Sequence, residues 1–561
     1  MTRLDLRRLH PWFSLAHRRH GGVLAGLAGL ACALAQPPFG LLPGLLGYAA
    51  LMALLDGASV ERPMRSAFWR GWLAGTAYFL VAIWWVSEAF MVDVAEHGWQ
   101  APFAVAGLAA GLGLFWGGAG LAYRLLAAKL ILHRSLWRLG AFTALLSLTE
   151  WLRGHVLTGF PWDLPGETWR AGDAISQMAS LVGVYGLSFL TLFAAASPAA
   201  SDRAARGPRR WLGPVLGAAV LLGMQAYGLA RLGAPQALPS AQARADGRTV
   251  RVVQANVAQA AKWDAAAFTD IVQRYTRLTA QPQHGRAPDM VIWSETAIPA
   301  LVEDYMAPGA WTRTAIADAL SPGQVLLFGA DRADGPNYYN SLLILQREAE
   351  GFRLLGRYDK HHLVPFGEYF PMESLATWTG LKALVHVGDG FTPGPAAQVL
   401  AAGPVPPLVP MICYEGLFPG AVADGGRRAE WIVNVSNDAW FGKTSGPLQH
   451  YNMARYRAIE EGLPMARATP TGVSAVVDAY GRPVAELGSG AFGLIDQVIP
   501  KALPPTIFHI CGDLAFWVLI FAGLTPVFLS RIVAAPRPGA SMASYLRLHK
   551  MADDARQGGF D

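Results

Sequence analysis

A helix that crosses a bilayer needs about 20 consecutive, mostly apolar residues, because lipid offers the backbone no hydrogen-bond partner. Runs of that kind recur in this chain near residues 21–36, 39–56, 69–91, 101–123, 139–153, 175–197, 211–230 and 508–530. Composition agrees with them: hydrophobic residues make up 53% of 561 and charged residues 15%, where a water-soluble domain carries about 25% charge. Mean hydropathy is +0.27. Disorder, a collagen-like fibre and a small disulfide scaffold are excluded. The chain has only Cys32, Cys413 and Cys511, so no disulfide framework is expected, and no CxxC pair offers a zinc site. The expectation is a polytopic α-helical membrane bundle of about eight spans.

The first two runs are short and meet at Gln36-Pro37-Pro38-Phe39-Gly40, which reads as a tight re-entrant or hairpin turn. The fifth is crowded at its end by Glu150 and Arg153. Basic residues orient the set. From Arg231 to Lys501 there are 23 Lys/Arg against 25 Asp/Glu, whereas the rest of the chain holds 23 against 15. The surplus gathers in alternate loops: Arg62, Arg65 and Arg70; Arg124, Lys129, Arg134 and Arg138; Arg203, Arg206, Arg209 and Arg210. The 92–100 loop has no Lys or Arg, and the 154–174 loop has only Arg170. Eight spans with both termini cytoplasmic satisfy the positive-inside rule and put the segment between spans seven and eight outside the cytoplasm. No basic stripe interleaved with aromatics is present, so nucleic acid is not an expected partner.

Three segments follow from this: residues 1–230 with seven spans, a soluble domain at 231–505, and 506–561 with the last span and a cytoplasmic tail. In the middle segment short β-rich runs (Thr249–Gln254, Met290–Trp293, Val325–Gly329, Leu408–Cys413, Trp431–Val435) alternate with helical stretches near 264–281 and 310–320. That alternation predicts an α/β domain with a largely buried sheet. Pro235 and Pro239 mark its entry; Pro500, Pro504 and Pro505 mark its exit.

Three chemically capable residues each close an apolar run there: Glu295 after Met290–Ser294, Lys360 after Phe352–Tyr358, and Cys413 after Pro407–Ile412. Strand ends are where α/β folds collect catalytic groups. A thiol attacks as thiolate, so it needs a base for its proton and a cation nearby. The same cation can stabilise a tetrahedral oxyanion. Taken alone, the three are equally compatible with unrelated residues at strand ends.

The strings Trp293-Ser294-Glu295-Thr296, Tyr358 to Pro371 (with Lys360-His361-His362 and Phe366-Gly367-Glu368), and Ile412-Cys413-Tyr414-Glu415 resemble the three signature blocks of the nitrilase superfamily. With eight framing spans, Gly159-Phe160-Pro161-Trp162 in an outer loop and Ser436-Asn437-Asp438-Ala439-Trp440-Phe441-Gly442 downstream, the chain is similar to its membrane-embedded apolipoprotein N-acyltransferase family. The resemblance implies a nitrilase-like αββα sandwich on the periplasmic side of a bacterial inner membrane. It makes Cys413 the nucleophile, Glu295 the general base and Lys360 the oxyanion and thiolate stabiliser, with Glu368 and Glu415 as supporting carboxylates. The implied acyl donor is a phospholipid such as phosphatidylethanolamine, and the acceptor is the α-amino group of a diacylglyceryl-modified N-terminal cysteine of an apolipoprotein. No metal or organic cofactor is implied. Trp263 and Trp440 are candidates for lining an acyl-chain pocket, and Tyr414 for shaping its mouth.

Other features read more plainly. Cys32 and Cys511 lie in apolar runs and are expected to pack inertly. His361 and His362 suggest a Cys–His pair but lack an orienting Asn or Asp signature. His450 reads as a helix-face residue, Glu460-Glu461 as a solvated face, and His509 and Asp513 as groups facing the bundle or the interface. Glycines at 388, 390 and 394 mark a loop near 385–395 that could cover the site. Two other functions compete: the same chemistry on a soluble amide or nitrile with water as acceptor, and a non-catalytic scaffold or transporter. The spans serve no purpose for the first, and the scarcity of mid-span charges disfavours the second.

Overall fold

The structure is a computed structural model that describes residues 16–59, 61–129, 135–201, 207–234, 247–262, 264–283, 287–369, 390–420 and 428–534. Every apolar run is helical: α1 (Ala16–Leu34), α2 (Leu46–Asp56), α3 (Pro63–Ala82), α4 (Ala101–Lys129), α5 (Ser135–Arg153), α6 (Ala179–Ala196) and α7 (Leu212–Leu232) precede the strands. Among the described residues, Val94–Ala127, Ile175–Ala200 and Leu212–Leu232 are long and apolar enough to cross a membrane. Pro63–Ala82 and the short helix Trp84–Met91, bent by 49°, add a fourth if they are one span. His20–Leu34, Leu42–Asp56 and Leu514–Thr525 are apolar but shorter.

Small residues let these helices close up. A Cβ on Gly71 of α3 would sit 2.3 Å from the Trp116 carbonyl of α4, a contact no side chain tolerates. Two buried ion pairs lie inside the bundle, where low dielectric makes an unpaired charge costly. Arg138 reaches Asp56 at 2.9 Å. Fully buried Glu150 accepts from Trp116 Nε1 at 2.5 Å and from Arg153 Nε at 3.0 Å. Arg153 also donates to the Trp162 carbonyl at 3.0 Å, so the 154–174 loop is held by the charges that end α5.

Beyond α7 the chain forms β1 (Thr249–Gln254), β2 (Met290–Trp293), β3 (Val325–Asp334), β4 (Asn337–Glu348), β5 (Gly351–Asp359) and β6 (Leu400–Ala402). Then come β7 (Val405–Ile412), β8 (Trp431–Val435), β9 (Met465–Ala468), β10 (Ser474–Val477), β11 (Pro483–Leu487) and β12 (Gly493–Val498). They make two six-stranded sheets, ordered β12-β1-β2-β3-β4-β5 and β11-β10-β9-β8-β7-β6. In each sheet three neighbours run parallel, β1-β2-β3 and β7-β8-β9. Val252, Ile292 and Leu327 of the first sheet pack against Leu408, Ile412 and Val433 of the second.

The outer faces carry helices. On the first sheet α8 (Phe268–Thr279) seats Ile271, Tyr275 and Leu278 over Val291 and Trp293, with α9 (Trp311–Asp318) beside it. On the second, α10 (Gly446–Glu461) lays Tyr451, Ala454 and Ala458 over Val409 and Ile432. The result is an αββα sandwich. The chain then returns through α11 (Leu514–Ala534).

Because Tyr456 and Ile459 on the other side of α10 pack against Val184 and Tyr185 of α6, α10 is enclosed between sheet and bundle. This overturns the solvated-face expectation for Glu460. It is fully buried, accepts from the Val184 amide at 2.8 Å and lies 2.8 Å from Arg457; Glu461 meets His509 at 2.6 Å. Asp513 accepts from Trp151 Nε1 at 3.1 Å and so faces the bundle. Pro235 and Pro239 lie outside the described residues.

Candidate active site

Three strand ends converge. After β2 the chain turns sharply: Thr296 has φ +42°, and a Cβ on Gly329 of the neighbouring β3 would lie 2.3 Å from Glu295 Cα. Only glycine at 329 lets the Glu295 turn settle on the sheet. After β5, Asp359 is clamped by Arg332 at 2.9 and 2.8 Å and by Ser341 Oγ at 2.6 Å, and the next residue is Lys360. Its amide donates to the Asn340 carbonyl at 2.8 Å. Its Nζ lies 3.3 Å from Glu295 Oε1 and 2.8 Å from Glu368 Oε1. Asn340 Nδ2 donates to the same two oxygens at 2.6 and 3.0 Å. Burial alone would raise Glu295, but the Lys360 ammonium, Asn340 and Lys262 hold it below the ordinary carboxylate value. Burial works against the Lys360 ammonium, yet the two carboxylates raise its pKa well above that of a free lysine.

Cys413 begins the turn after β7 and has φ +49°, a left-handed backbone that non-glycine residues seldom adopt outside strained, over-determined sites. Glu415 fixes this turn. Its Oε2 accepts from the Ile412 amide at 2.8 Å. Its Oε1 accepts from Tyr358 Oη at 2.6 Å and from the amides of His361 and His362 at 2.9 and 3.1 Å. One buried carboxylate thus bolts the cysteine turn to the lysine turn. The thiol is pushed up to about 12, first by burial and then by the Glu295 carboxylate. Lys360 and a hydrogen bond from Ser436 pull the other way. The expected thiolate stabilisation by Lys360 has the right sign but is outweighed, so the resting thiol keeps its proton.

Several residues are placed differently from expectation. Tyr414 does not line an open mouth: it is buried against Phe160 and Phe418, and its Oη donates to the Gly159 carbonyl at 2.7 Å. Trp440 is exposed, while its neighbour Phe441 packs inward on Trp85 and Trp162. Trp263 lies outside the described residues. His361 turns Nδ1 to the Gly394 carbonyl and His362 turns Nε2 to the Thr158 carbonyl. Within the loop near 385–395, residues 385–389 lie outside the described residues. The remainder is pinned: the amides of Phe391, Thr392 and Gly394 donate to Glu368, Tyr338 and Lys360 carbonyls.

Two groups escaped the sequence. Lys262 is buried, with Nζ 3.4 Å from the Glu295 carbonyl oxygen. Burial lowers its pKa to about 8 against the pull of Asp331, Glu295 and Cys413. His450, expected to be an ordinary helix-face residue, is fully enclosed and reaches the Cys413 carbonyl. Adjacency to the acyl-pocket candidate Trp263 is the only sequence signal for the first; the second has none. Among the described residues no group of three or more His, Cys, Asp and Glu is arranged to hold a metal ion.

This arrangement sets an ionised carboxylate, a paired ammonium and a protonated thiol at three converging strand ends, a set that suits acyl transfer. Comparison with known proteins points the same way. Residues 249–502 match the family model described as carbon-nitrogen hydrolase, and residues 28–197 match that of the apolipoprotein N-acyltransferase N-terminal domain. The chain is 54% identical over 520 residues to the apolipoprotein N-acyltransferase of Caulobacter vibrioides, covering 91% of this chain and 94% of that one. With the protein of the same name from Rhodopseudomonas palustris it shares 37% over 549 residues, 95% and 99% of the two chains.

Proposed function

We infer, from the premise that the chain belongs to the apolipoprotein N-acyltransferase family, that it acylates the N-terminal cysteine of lipoproteins through a thioester on Cys413. Cys413 Sγ attacks an ester carbonyl of a phospholipid such as phosphatidylethanolamine while Glu295 takes the thiol proton. With a thiol near 12 and a carboxylate held low, that proton moves as the carbon–sulfur bond forms rather than beforehand. Lys360 Nζ, anchored by Glu368, faces the oxyanion. Collapse expels the glycerol oxygen, which takes the proton from Glu295 and leaves as a lysophospholipid. In the second half the α-amino group of a diacylglyceryl-cysteine attacks the thioester. Glu295 accepts the amine proton and returns it to the departing sulfur. Atoms balance without a metal or organic cofactor.

The observation that carries this reading is the buried Glu295–Lys360–Glu368 cluster set against the strained Cys413 turn. Both substrates are lipids, which gives the framing helices a purpose. In the proposed arrangement eight spans put both termini in the cytoplasm. Segments 1–230 and 506–561 lie in and under an inner membrane, and 231–505 stands in the periplasm. Exposed Trp440, with Trp263, is proposed to meet the acyl chain.

The test is mass spectrometry of purified protein incubated with phospholipid alone. The expected result is one acyl adduct on Cys413, released as an N-acyl product when an apolipopeptide is added. Release of free fatty acid instead would support a hydrolase. A reporter fused after Ala237 should read periplasmic and one after Arg537 cytoplasmic; two cytoplasmic readings would break the topology.

A further inference from the structure

The nucleophile turn is strained, and strain at a single residue persists only where the surroundings fix it. Glu415 fixes the amide side of this turn. The carbonyl of Cys413 is held separately, from behind, by a chain of side chains that are all fully buried: His450, Asp438, Arg467, Ser436 and Asn434. His450 Nε2 lies 3.2 Å from the Cys413 carbonyl oxygen. A carbonyl oxygen only accepts, so Nε2 carries the hydrogen.

The other nitrogen has two neighbours of opposite kind. Nδ1 is 2.9 Å from Asp438 Oδ1, an acceptor, and 3.2 Å from Arg467 Nη2, a donor. Asp438 serves the ring when Nδ1 is protonated, and Arg467 serves it when Nδ1 is bare. Asp438 is itself saturated by Ser436 Oγ at 2.7 Å and by Arg467 Nη2 at 2.9 and 2.8 Å, while Arg467 also binds Asn434. Either way Nε2–H remains on the carbonyl. The ring cannot swing: Trp162 stacks on one face at 5.8 Å, and Phe441 meets it edge-on at 5.4 Å.

We propose that His450, oriented by Asp438 and Arg467, is a positioning residue that locks the Cys413 backbone in its left-handed conformation so that the thiol is presented to Glu295 and Lys360. It does not touch substrate. The proposal rests on the thioester reading above. It adds that the polar network behind the nucleophile, backed by Trp162 from the outer loop of the membrane part, supplies the nucleophile's geometry.

The experiment is single-turnover thioester formation in wild type, His450→Leu and His450→Gln, in the full chain and in vesicles containing phosphatidylethanolamine. The leucine variant keeps the bulk and loses the donor. Displacement of a reacting atom by about 1 Å costs about 10²-fold in rate. His450→Leu should therefore lose about 10²-fold in maximal rate with little change in the half-saturating lipid concentration. His450→Gln, whose amide can donate to the same carbonyl, should recover most of it. Melting temperatures are recorded alongside. A leucine variant that acylates at the wild-type rate, or glutamine and leucine variants that lose rate and melting temperature in parallel, would overturn the positioning role. Absence of a thioester in wild type would instead overturn the reading beneath it.

Discussion

The two sheets contribute to the site in different ways. The first sheet supplies charge: Glu295, Lys360 and Glu368 form a compact ionic cluster with Asn340 across it, and each member is held mainly by the others. The second sheet supplies geometry. Cys413 carries one reactive atom, and its surroundings (Glu415 on the amide side, His450 on the carbonyl side) grip the backbone rather than the sulfur. Charge on the first side is mutual, so removing one member harms the rest. Shape on the second side is divided between two grips, so in the proposed mechanism losing either one slows the reaction and only loss of the sulfur abolishes it. The Glu295–Lys360–Glu368 charge cluster and the grip on the Cys413 backbone thus belong to different sheets, joined at Glu415.

The largest expected effect is Cys413→Ser. A serine hydroxyl has a far higher pKa than a thiol, and Glu295 is held too low to compensate, so the acyl adduct should vanish while melting is unchanged. Acyl transfer at the wild-type rate by this variant would sink the nucleophile assignment.

Lys360→Met comes next and breaks the mutual side. It should slow thioester formation by about 10²–10³, the usual cost of one oxyanion donor. It should also destabilise the protein by about 3–5 kcal/mol, because Glu295 and Glu368 are left as buried, uncompensated neighbours. Glu295→Gln with Lys360→Met should restore part of that stability without restoring rate. If melting curves of the single and double variants coincide, the carboxylates are not held by the lysine.

The contrast also explains what was readable beforehand. Glu295, Lys360 and Cys413 each end an apolar run, and strand runs such as Thr249–Gln254 and Trp431–Val435 match β1 and β8 residue for residue. The groups that hold them are set by packing between distant segments, which periodicity does not encode. His450 meets Cys413 only because α10 lies across the second sheet, and Lys262 meets Glu295 only because the turn after β1 folds over β2. Strands β11 and β12 were missed for a related reason. β11 opens with Pro483 and pairs only at the sheet margin, and β12 joins β1 from the far end of the domain. Glu460 looked solvated because α10 has no apolar stripe; burial on both sides leaves none to see.

The smallest effect tests whether the charged side reaches the geometric side at a distance. With a thiol near 12, the thiolate fraction at neutral pH rises tenfold per pH unit, and alkylation of Cys413 should follow it. Lys262, lowered to about 8, loses its proton inside that range. Each deprotonated Lys262 removes a cation that favours the thiolate, so the thiol becomes harder to ionise as pH rises. The logarithm of the alkylation rate should then climb by less than one decade per unit between pH 7 and 9, and regain unit slope above. Lys262→Met should be slower at pH 7 and show unit slope throughout. The same proton has a stability signature. Between about 8 and the ordinary lysine value of 10.5, the unfolded chain binds more protons than the folded one, so stability should rise with pH across that window. The rise should be missing in Lys262→Met. Unit slope in wild type from pH 7 to 9, unaltered by the substitution, would mean that Lys262 and the thiol titrate independently.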